Sequence, residues 1–384
     1  MDFSFTPEQD QLREAARRFA AEKLAPRYAQ REREARMEPE VLEEMGALGL
    51  IAPDMPEDLG GSAADGVTSA IVVEEIAKGD FNVSYVQLLG SLNAGLVARF
   101  AHPHVARKVV PEVCAGRTLI ALGLTEPGGG SDAANLRLRA RKDGESYVLD
   151  GEKTSISLIG QARWIVLFAR SGGADDRARG VSAFLVDMEQ KGVSRTRFND
   201  VGSAAVGRGS VFFDGVRVPA SHRLGEEGEG FRQVMSGFDY SRALIGLQCV
   251  AAARASLDET WAYALERKAF GNPIAKYQGV TQPLAEAETY VTAARLLCYQ
   301  TVWLRDRGLP HTSEAAMCKW WAPKAAFDAI HQCVITHGHL GYSTDLPHQQ
   351  RLRDVLGLHI GDGTPQIQKM IIAREKVGRV ALPY

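Results

Sequence analysis

Leu124-Thr125-Glu126-Pro127-Gly128-Gly129-Gly130-Ser131-Asp132 stands where the chain changes character. Before it the sequence reads as helix, and after it as strand. Three successive glycines expose backbone N–H groups and let a planar or phosphorylated ligand approach closely. By itself the loop is weak evidence, because a flexible β-turn has the same composition. Beyond it Leu136, Leu138 and Ala140 alternate, Asp143-Gly144 is a hairpin signal, and Tyr147-Val148-Leu149 returns. The short apolar runs Trp164 to Phe168, Ala183 to Val186 and Val211 to Phe213 continue the strand pattern. Residues 119–226 therefore read as an all-β domain.

On the N-terminal side, Thr6-Pro7-Glu8-Gln9 is a helix start, with Thr6 as N-cap and Gln9 reaching back. Leu12, Ala16 and Phe19 follow at helical spacing, and Pro26 interrupts them. Further helical stretches run through Val41 to Met45, Ala70 to Ala77 and Tyr85 to Phe100. On the C-terminal side, Leu244, Leu247, Val250, Ala253, Leu257, Trp261 and Ala264 step by three or four, which predicts one long amphipathic helix. Helices are also expected at 280–307, 313–337 and 365–377. Elements segregated in this way argue against a βαβ sheet. They divide the chain into a helical domain at 1–118, a β-domain at 119–226 and a helical bundle at 227–384.

Composition narrows the function. Lys plus Arg number 45 against 47 Asp plus Glu. With no basic excess to neutralise a phosphate backbone, nucleic acid is a poor partner. The five cysteines are odd in number and lack metal-ligand or redox spacing, as expected of buried thiols in a reducing compartment. The N-terminus has neither the basic nor the apolar region of a signal peptide. No apolar run approaches the ~18 residues of a membrane span. A soluble, cytoplasmic protein without metal is the expectation.

The Gly-rich loop resembles the LTEP-(A/G)-GSD signature of the acyl-CoA dehydrogenase family. Gly151 to Ser157 resembles that family's NG-x-K-x-WIT segment. Arg267 to Ile274 with Gln278 is similar to R-x-x-FG-x-x-(I/L)…Q, and His337 to Tyr342 with Arg353-Asp354 to HGG-x-GY…RD. Gly361-Asp362-Gly363-Thr364-Pro365-Gln366-Ile367 sits where the family has (Y/F)-EGT-x-(E/Q)-I. These motifs occur in the family's order and spacing along nearly the whole chain. The resemblance implies an α+β fold: an N-terminal α-helical domain, a middle antiparallel β-domain and a C-terminal four-helix bundle. It further implies non-covalent FAD and a homotetramer.

Carried over by position, Leu124, Thr125, Ser155 and Ser157 fall at the flavin ring. Arg267, Phe270 and Gln278 would serve the pyrophosphate or adenine end of FAD in a neighbouring subunit, and Thr364 and Gln366 would also touch the cofactor. Ser131, Asp239, Ser241, Arg242, Gly361, Gly363 and Arg374 fall near the CoA thioester or its CoA end. The family reaction removes an α-proton to a carboxylate and a β-hydride to the flavin, and electrons then pass to an electron-transferring flavoprotein. The thioester oxygen is held by a backbone N–H, here that of Asp362, and by a ribityl hydroxyl of FAD.

The base position holds Asp362 where Glu is usual. Asp is one methylene shorter, so its oxygens retreat by roughly 1.5 Å. A misplacement of about 1 Å costs on the order of 100-fold in rate. Gly361 stands where an aromatic residue is common, and Ser155 where the family has Trp. Together these widen the acyl cavity beside the α-carbon and point to an alicyclic acyl-CoA of the cyclohexanecarboxyl-CoA type. Alternatives are a straight- or branched-chain acyl-CoA, a nitroalkane-oxidase-like flavin oxidase, and a non-catalytic or DNA-associated relative. Some family branches carry the base just before an Arg of the long helix, but that position here is Ser241. A structural alternative makes Asp362 the N-cap of the helix opening at Pro365. Ile335 and His339 depart from the family where it approaches the adenosine of FAD.

Overall fold

The computed structural model describes residues 4–382. Seven helices come first: α1 (Pro7–Phe19), α2 (Tyr28–Glu34), α3 (Pro39–Ala47), α4 (Gly66–Gly79), α5 (Ser84–Leu89), α6 (Gly95–Phe100) and α7 (Pro103–Cys114). The Thr6 hydroxyl accepts from Gln9 N–H at 3.2 Å and the Gln9 side chain accepts from Thr6 N–H at 3.1 Å, closing the expected capping box. Beyond α1 the chain passes through a π turn and a 3₁₀ turn containing Pro26, whose ring removes a helical donor.

The strands are β1 (Ile120–Gly123), β2 (Arg139–Asp143), β3 (Ser146–Ser157), β4 (Trp164–Arg170), β5 (Val181–Asp187), β6 (Val193–Arg197), β7 (Arg208–Pro219) and β8 (Arg223–Leu224). They form one sheet in the order β6-β7-β3-β2-β4-β5-β8, with β1 also on β4. Most pairings are antiparallel, as expected. The exceptions are β1 and β2, which run parallel to β4, so the sheet is mixed. The parallel β1 is the strand that delivers the chain to the Gly-rich loop. A bulge in β3 between Lys153 and Ile156 leaves Ser155 with φ +57°, bending the strand end.

The last part holds α8 (Gly230–Glu266), a short hairpin of β9 (Lys268–Ala269) and β10 (Asn272–Pro273), then α9 (Gln278–Asp306), α10 (Thr312–His337), α11 (His339–Tyr342), α12 (His348–Ile360) and α13 (Pro365–Val377). Helix α10 packs against α8, α9, α12 and α13. The stepped apolar pattern of α8 predicts a single buried face. Instead every residue from Tyr240 to Ala253 is buried. The helix runs through the centre of the molecule, against α4, α9, α10 and β5, and has no solvent side there.

Buried Asp354 of α12 ties these parts together. It accepts from Tyr28 Oη at 2.5 Å, from Asn82 Nδ2 at 2.9 Å and from the backbone N–H of Ser203 in the β-domain. Burial pushes its carboxyl up to about 6.

Candidate active site

A cavity of about 670 Å³ lies between the sheet and the helices. The sheet side contributes Leu124 and Thr125 from the exit of β1, Ser131 from the Gly-rich loop, and Ser155, Ile156 and Ser157 from the bent end of β3. The helical side contributes Tyr85, Leu88 and Leu92 from α5 and the turn after it, and Phe238, Arg242 and Ile245 from α8. Gly361, Asp362, Gly363 and Thr364, between α12 and α13, close one end. The sequence motifs therefore converge although 230 or more positions separate the Gly-rich loop from Asp362.

The loop around Asp362 has an unusual backbone. Asp362 has φ +55° and Gly363 φ +96°. Left-handed geometry suits glycine and is tolerated by Asp. A Cβ on Gly363 would lie 2.5 Å from Gln368 Nε2, so a side chain there would have to push that amide aside, on a backbone already at positive φ. Fully buried Gln368 donates to the carbonyls of Asp362 (2.8 Å) and Gly363 (3.2 Å). The N-cap position of α13 is Thr364, not Asp362. Asp362 instead turns its carboxylate to Ser241, whose hydroxyl donates to Oδ2 at 3.1 Å. The capping alternative is thereby corrected: the backbone reverses at Gly363, which keeps the carboxylate off the helix end.

Desolvation pushes the Asp362 carboxyl above its usual range, while Lys319, Arg242 and the Ser241 hydroxyl pull the other way. Arg242 pairs with Asp239 at 2.9 Å, and its buried Nε has no partner. Desolvation pulls this guanidinium below its ordinary value. A cavity lined by a carboxylate of raised basicity and an incompletely satisfied arginine suits a substrate with one acidic C–H and one polar head.

Several positions from the motifs lie elsewhere. Ser241 is fully buried behind Asp362 and does not line the cavity. Asp239 lies behind Arg242 and accepts from Thr312 at 2.7 Å. Arg374 pairs with its neighbour Glu375 at 2.8 Å on α13. Arg267, Gln278 and Gln366 are exposed, and Phe270, at the tip of the β9–β10 hairpin, is 94% exposed. Within one chain these last four do not join the cavity. His337 is a packing residue, stacked on Tyr263 and bonded to the Cys333 carbonyl at 2.9 Å.

The acyl-CoA dehydrogenase N-terminal, middle and C-terminal domain families match residues 6–117, 121–216 and 228–377. The chain is 33% identical over 378 residues to the probable acyl-CoA dehydrogenase YngJ of Bacillus subtilis, covering 98% of this chain and 99% of that one. The chain belongs to the acyl-CoA dehydrogenase family. The mitochondrial short-chain specific acyl-CoA dehydrogenase of Rattus norvegicus is 35% identical over 373 residues, 96% of this chain and 90% of that protein. The solved butyryl-CoA dehydrogenase of Megasphaera elsdenii superposes with a TM-score of 0.94 at 30% identity, covering 98% of this chain and 100% of that one. The enzyme is an FAD-dependent acyl-CoA dehydrogenase.

The cavity fits that cofactor. Among the described residues, the Thr125 and Ser157 hydroxyls on the sheet wall have no partner within the chain, leaving both for a heteroaromatic ring. Leu124 and Ile156 beside them supply an apolar face.

The residues that build this site without lining it were not evident from the motifs. Glu126 and Lys153 lie inside quoted motifs, yet their role is structural. Lys153 Nζ donates to the Leu124 carbonyl (3.0 Å) and to Glu126 (2.7 Å), and Glu126 accepts from the N–H groups of Arg137 and Leu138. That buried pair fixes the Gly-rich loop. The only sequence signal for Lys319 was a lone charge in the apolar run Ala315 to Ala322.

Proposed function

We propose that this dehydrogenase removes the α-proton of its acyl-CoA with Asp362, and that the acyl group is alicyclic, of the cyclohexanecarboxyl-CoA type. The observation that carries the substrate reading is at Gly361. A Cβ there would meet only the Gly357 carbonyl at 3.8 Å and Leu358 Cδ2 at 3.9 Å, which are ordinary contacts. Gly361 lines the cavity next to the carboxylate without a side chain of its own, and a ring would fill that space and bring its α-C–H towards the short Asp side chain.

Asp362 works in a water-poor cavity that raises its basicity, which suits a weakly acidic α-C–H. The Ser241 hydroxyl orients the carboxylate. The Asp362 backbone N–H has no partner among the described residues and is a donor for the thioester oxygen as enolate charge develops. Arg242, held by Asp239, presents its remaining N–H groups to the thioester end, with Ser131 at the opposite rim and Arg374 towards the CoA end. Leu124, Thr125, Ser155, Ser157 and Thr364 would hold FAD, which when bound supplies the acceptor for the β-hydride.

The exposed Arg267, Phe270, Gln278 and Gln366 fit a role at a neighbouring subunit's FAD, in a homotetramer. Exposed Ile335 and Tyr342 near the end of α10 support burial of that face between subunits. Electron-transferring flavoprotein is the proposed acceptor. A second reading, a short straight-chain acyl-CoA, is favoured by the likeness to the short-chain and butyryl-CoA enzymes.

Anaerobic bleaching of the FAD absorbance by a panel of acyl-CoAs tests the choice. Faster bleaching by cyclohexanecarboxyl-CoA than by butyryl-CoA or octanoyl-CoA is expected, and the reverse order refutes the alicyclic reading.

A further inference from the structure

Lys319 of α10 is fully buried and does not line the cavity. Its Nζ donates to the carbonyl of Leu358 at 2.6 Å and to that of Gly363 at 3.3 Å. These two carbonyls bracket Gly361-Asp362. Among the described residues no carboxylate forms an ion pair with it. Burying an unpaired ammonium is costly, and burial pulls this one down to about 8. The chain keeps the charge here although an apolar residue would pack the same run of α10 at less cost.

The turn it holds needs outside support. Asp362 is a non-glycine residue held at φ +55°, a backbone conformation that persists only when neighbours fix it. Gln368 fixes the carbonyls of Asp362 and Gly363 from α13, and Lys319 fixes those of Leu358 and Gly363 from α10. The charged and polar groups facing Asp362 are Lys319 from α10 and Arg242 and the Ser241 hydroxyl from α8. Lys319 also faces Cys249 of α8 and His359 of α12, and Arg374 of α13 faces Arg242.

We propose that Lys319 is a positioning residue for the base: its ammonium clamps both ends of the turn carrying Asp362 and gives the carboxylate a fixed positive neighbour. The proposal rests on the reading of Asp362 as the α-proton acceptor. Lys319→Met removes clamp and charge together. Lys319→Arg keeps the charge, but its planar fork is too broad to set one nitrogen against both carbonyls.

The test compares these two holoenzymes with Asp362→Asn. It reads kcat and KM separately, the pH profile of kcat/KM, anaerobic exchange of substrate α-protons into D₂O, and the denaturation midpoint. In Lys319→Met, kcat and α-proton exchange fall about 10- to 100-fold, KM changes little, and the acid limb moves to higher pH because a cation near the carboxylate is gone. In Lys319→Arg, kcat falls while the acid limb stays in place. A folded Lys319→Met with wild-type kcat, exchange and acid limb, altered only in its denaturation midpoint, overturns the proposal. Should Lys319→Met not fold, wild-type kcat and exchange in Lys319→Arg overturn it instead. Full activity in Asp362→Asn defeats the base reading itself. Loss of activity there, with wild-type kinetics in the lysine variants, defeats the clamp alone.

Discussion

Gly361→Phe is the sharpest perturbation of substrate choice. The backbone at Gly361 has φ −57° and ψ 155°, open to any L-residue. The nearest atoms to a new Cβ lie at 3.8 and 3.9 Å, so Gly361→Ala is expected to leave stability unchanged or raise it by about 0.4–1 kcal/mol through the unfolded chain. Gly361 lines the cavity, so a phenyl group at the same position is expected to occupy the space assigned to the acyl ring. Each methylene a hydrophobic pocket loses is worth about 1–3 kcal/mol of discrimination, or roughly 10- to 200-fold. Excluding several ring carbons therefore predicts a loss of about 100-fold or more in kcat/KM for cyclohexanecarboxyl-CoA. Butyryl-CoA, which does not need that space, should be little affected. The assay is steady-state turnover of both substrates with an artificial one-electron acceptor, with FAD content measured by absorbance. Equal losses for both substrates, or undiminished turnover of the cyclic one, would show that the acyl ring does not sit beside Gly361.

Three further outcomes follow from the same geometry. Because desolvation raises the Asp362 carboxyl and the base must be ionised, kcat/KM should fall with decreasing pH through a limb above the ordinary Asp range; a limb at an unperturbed Asp value contradicts this. Asp354→Ala leaves Tyr28, Asn82 and the Ser203 N–H without their acceptor and should cost about 3–5 kcal/mol, read as a lower denaturation midpoint. Gly363→Ala puts a Cβ 2.5 Å from Gln368 Nε2 at φ +96° and should cut kcat about 100-fold while FAD content is kept; wild-type kcat would mean that the turn is not strained into place.

The order of helices, sheet and helices was legible because each region has its own period. Alternation around Leu136 to Ala140 and steps of three and four from Leu244 to Ala264 need only nearest-neighbour geometry. The parallel placement of β1 was not legible, since pairing direction depends on where the chain returns rather than on local pattern. The apolar stripe of α8 understated its burial because small residues such as Ala243, Gly246 and Ala251 fill the remaining faces without registering as strongly hydrophobic. Motif positions located Asp362, Thr125, Ser157 and Arg242 at the cavity. They included Lys153 without showing that it holds the Leu124 carbonyl, and they could not show Lys319 and Gln368, which act on backbone carbonyls and carry no signature of their own. Nor could a single chain bring Arg267, Phe270 and Gln278 to the site, because their hairpin and helix start face outward.

Asp362 is the proposed acceptor of the α-proton. Stopped-flow bleaching of FAD absorbance by acyl-CoA under anaerobic conditions, in wild type and in Asp362→Asn with equal FAD content, addresses it directly. Wild type should bleach, and Asp362→Asn should bind the thioester with its flavin reduced about 10²- to 10⁴-fold more slowly, the contribution of a positioned base. Bleaching of Asp362→Asn at the wild-type rate would exclude Asp362 as the base.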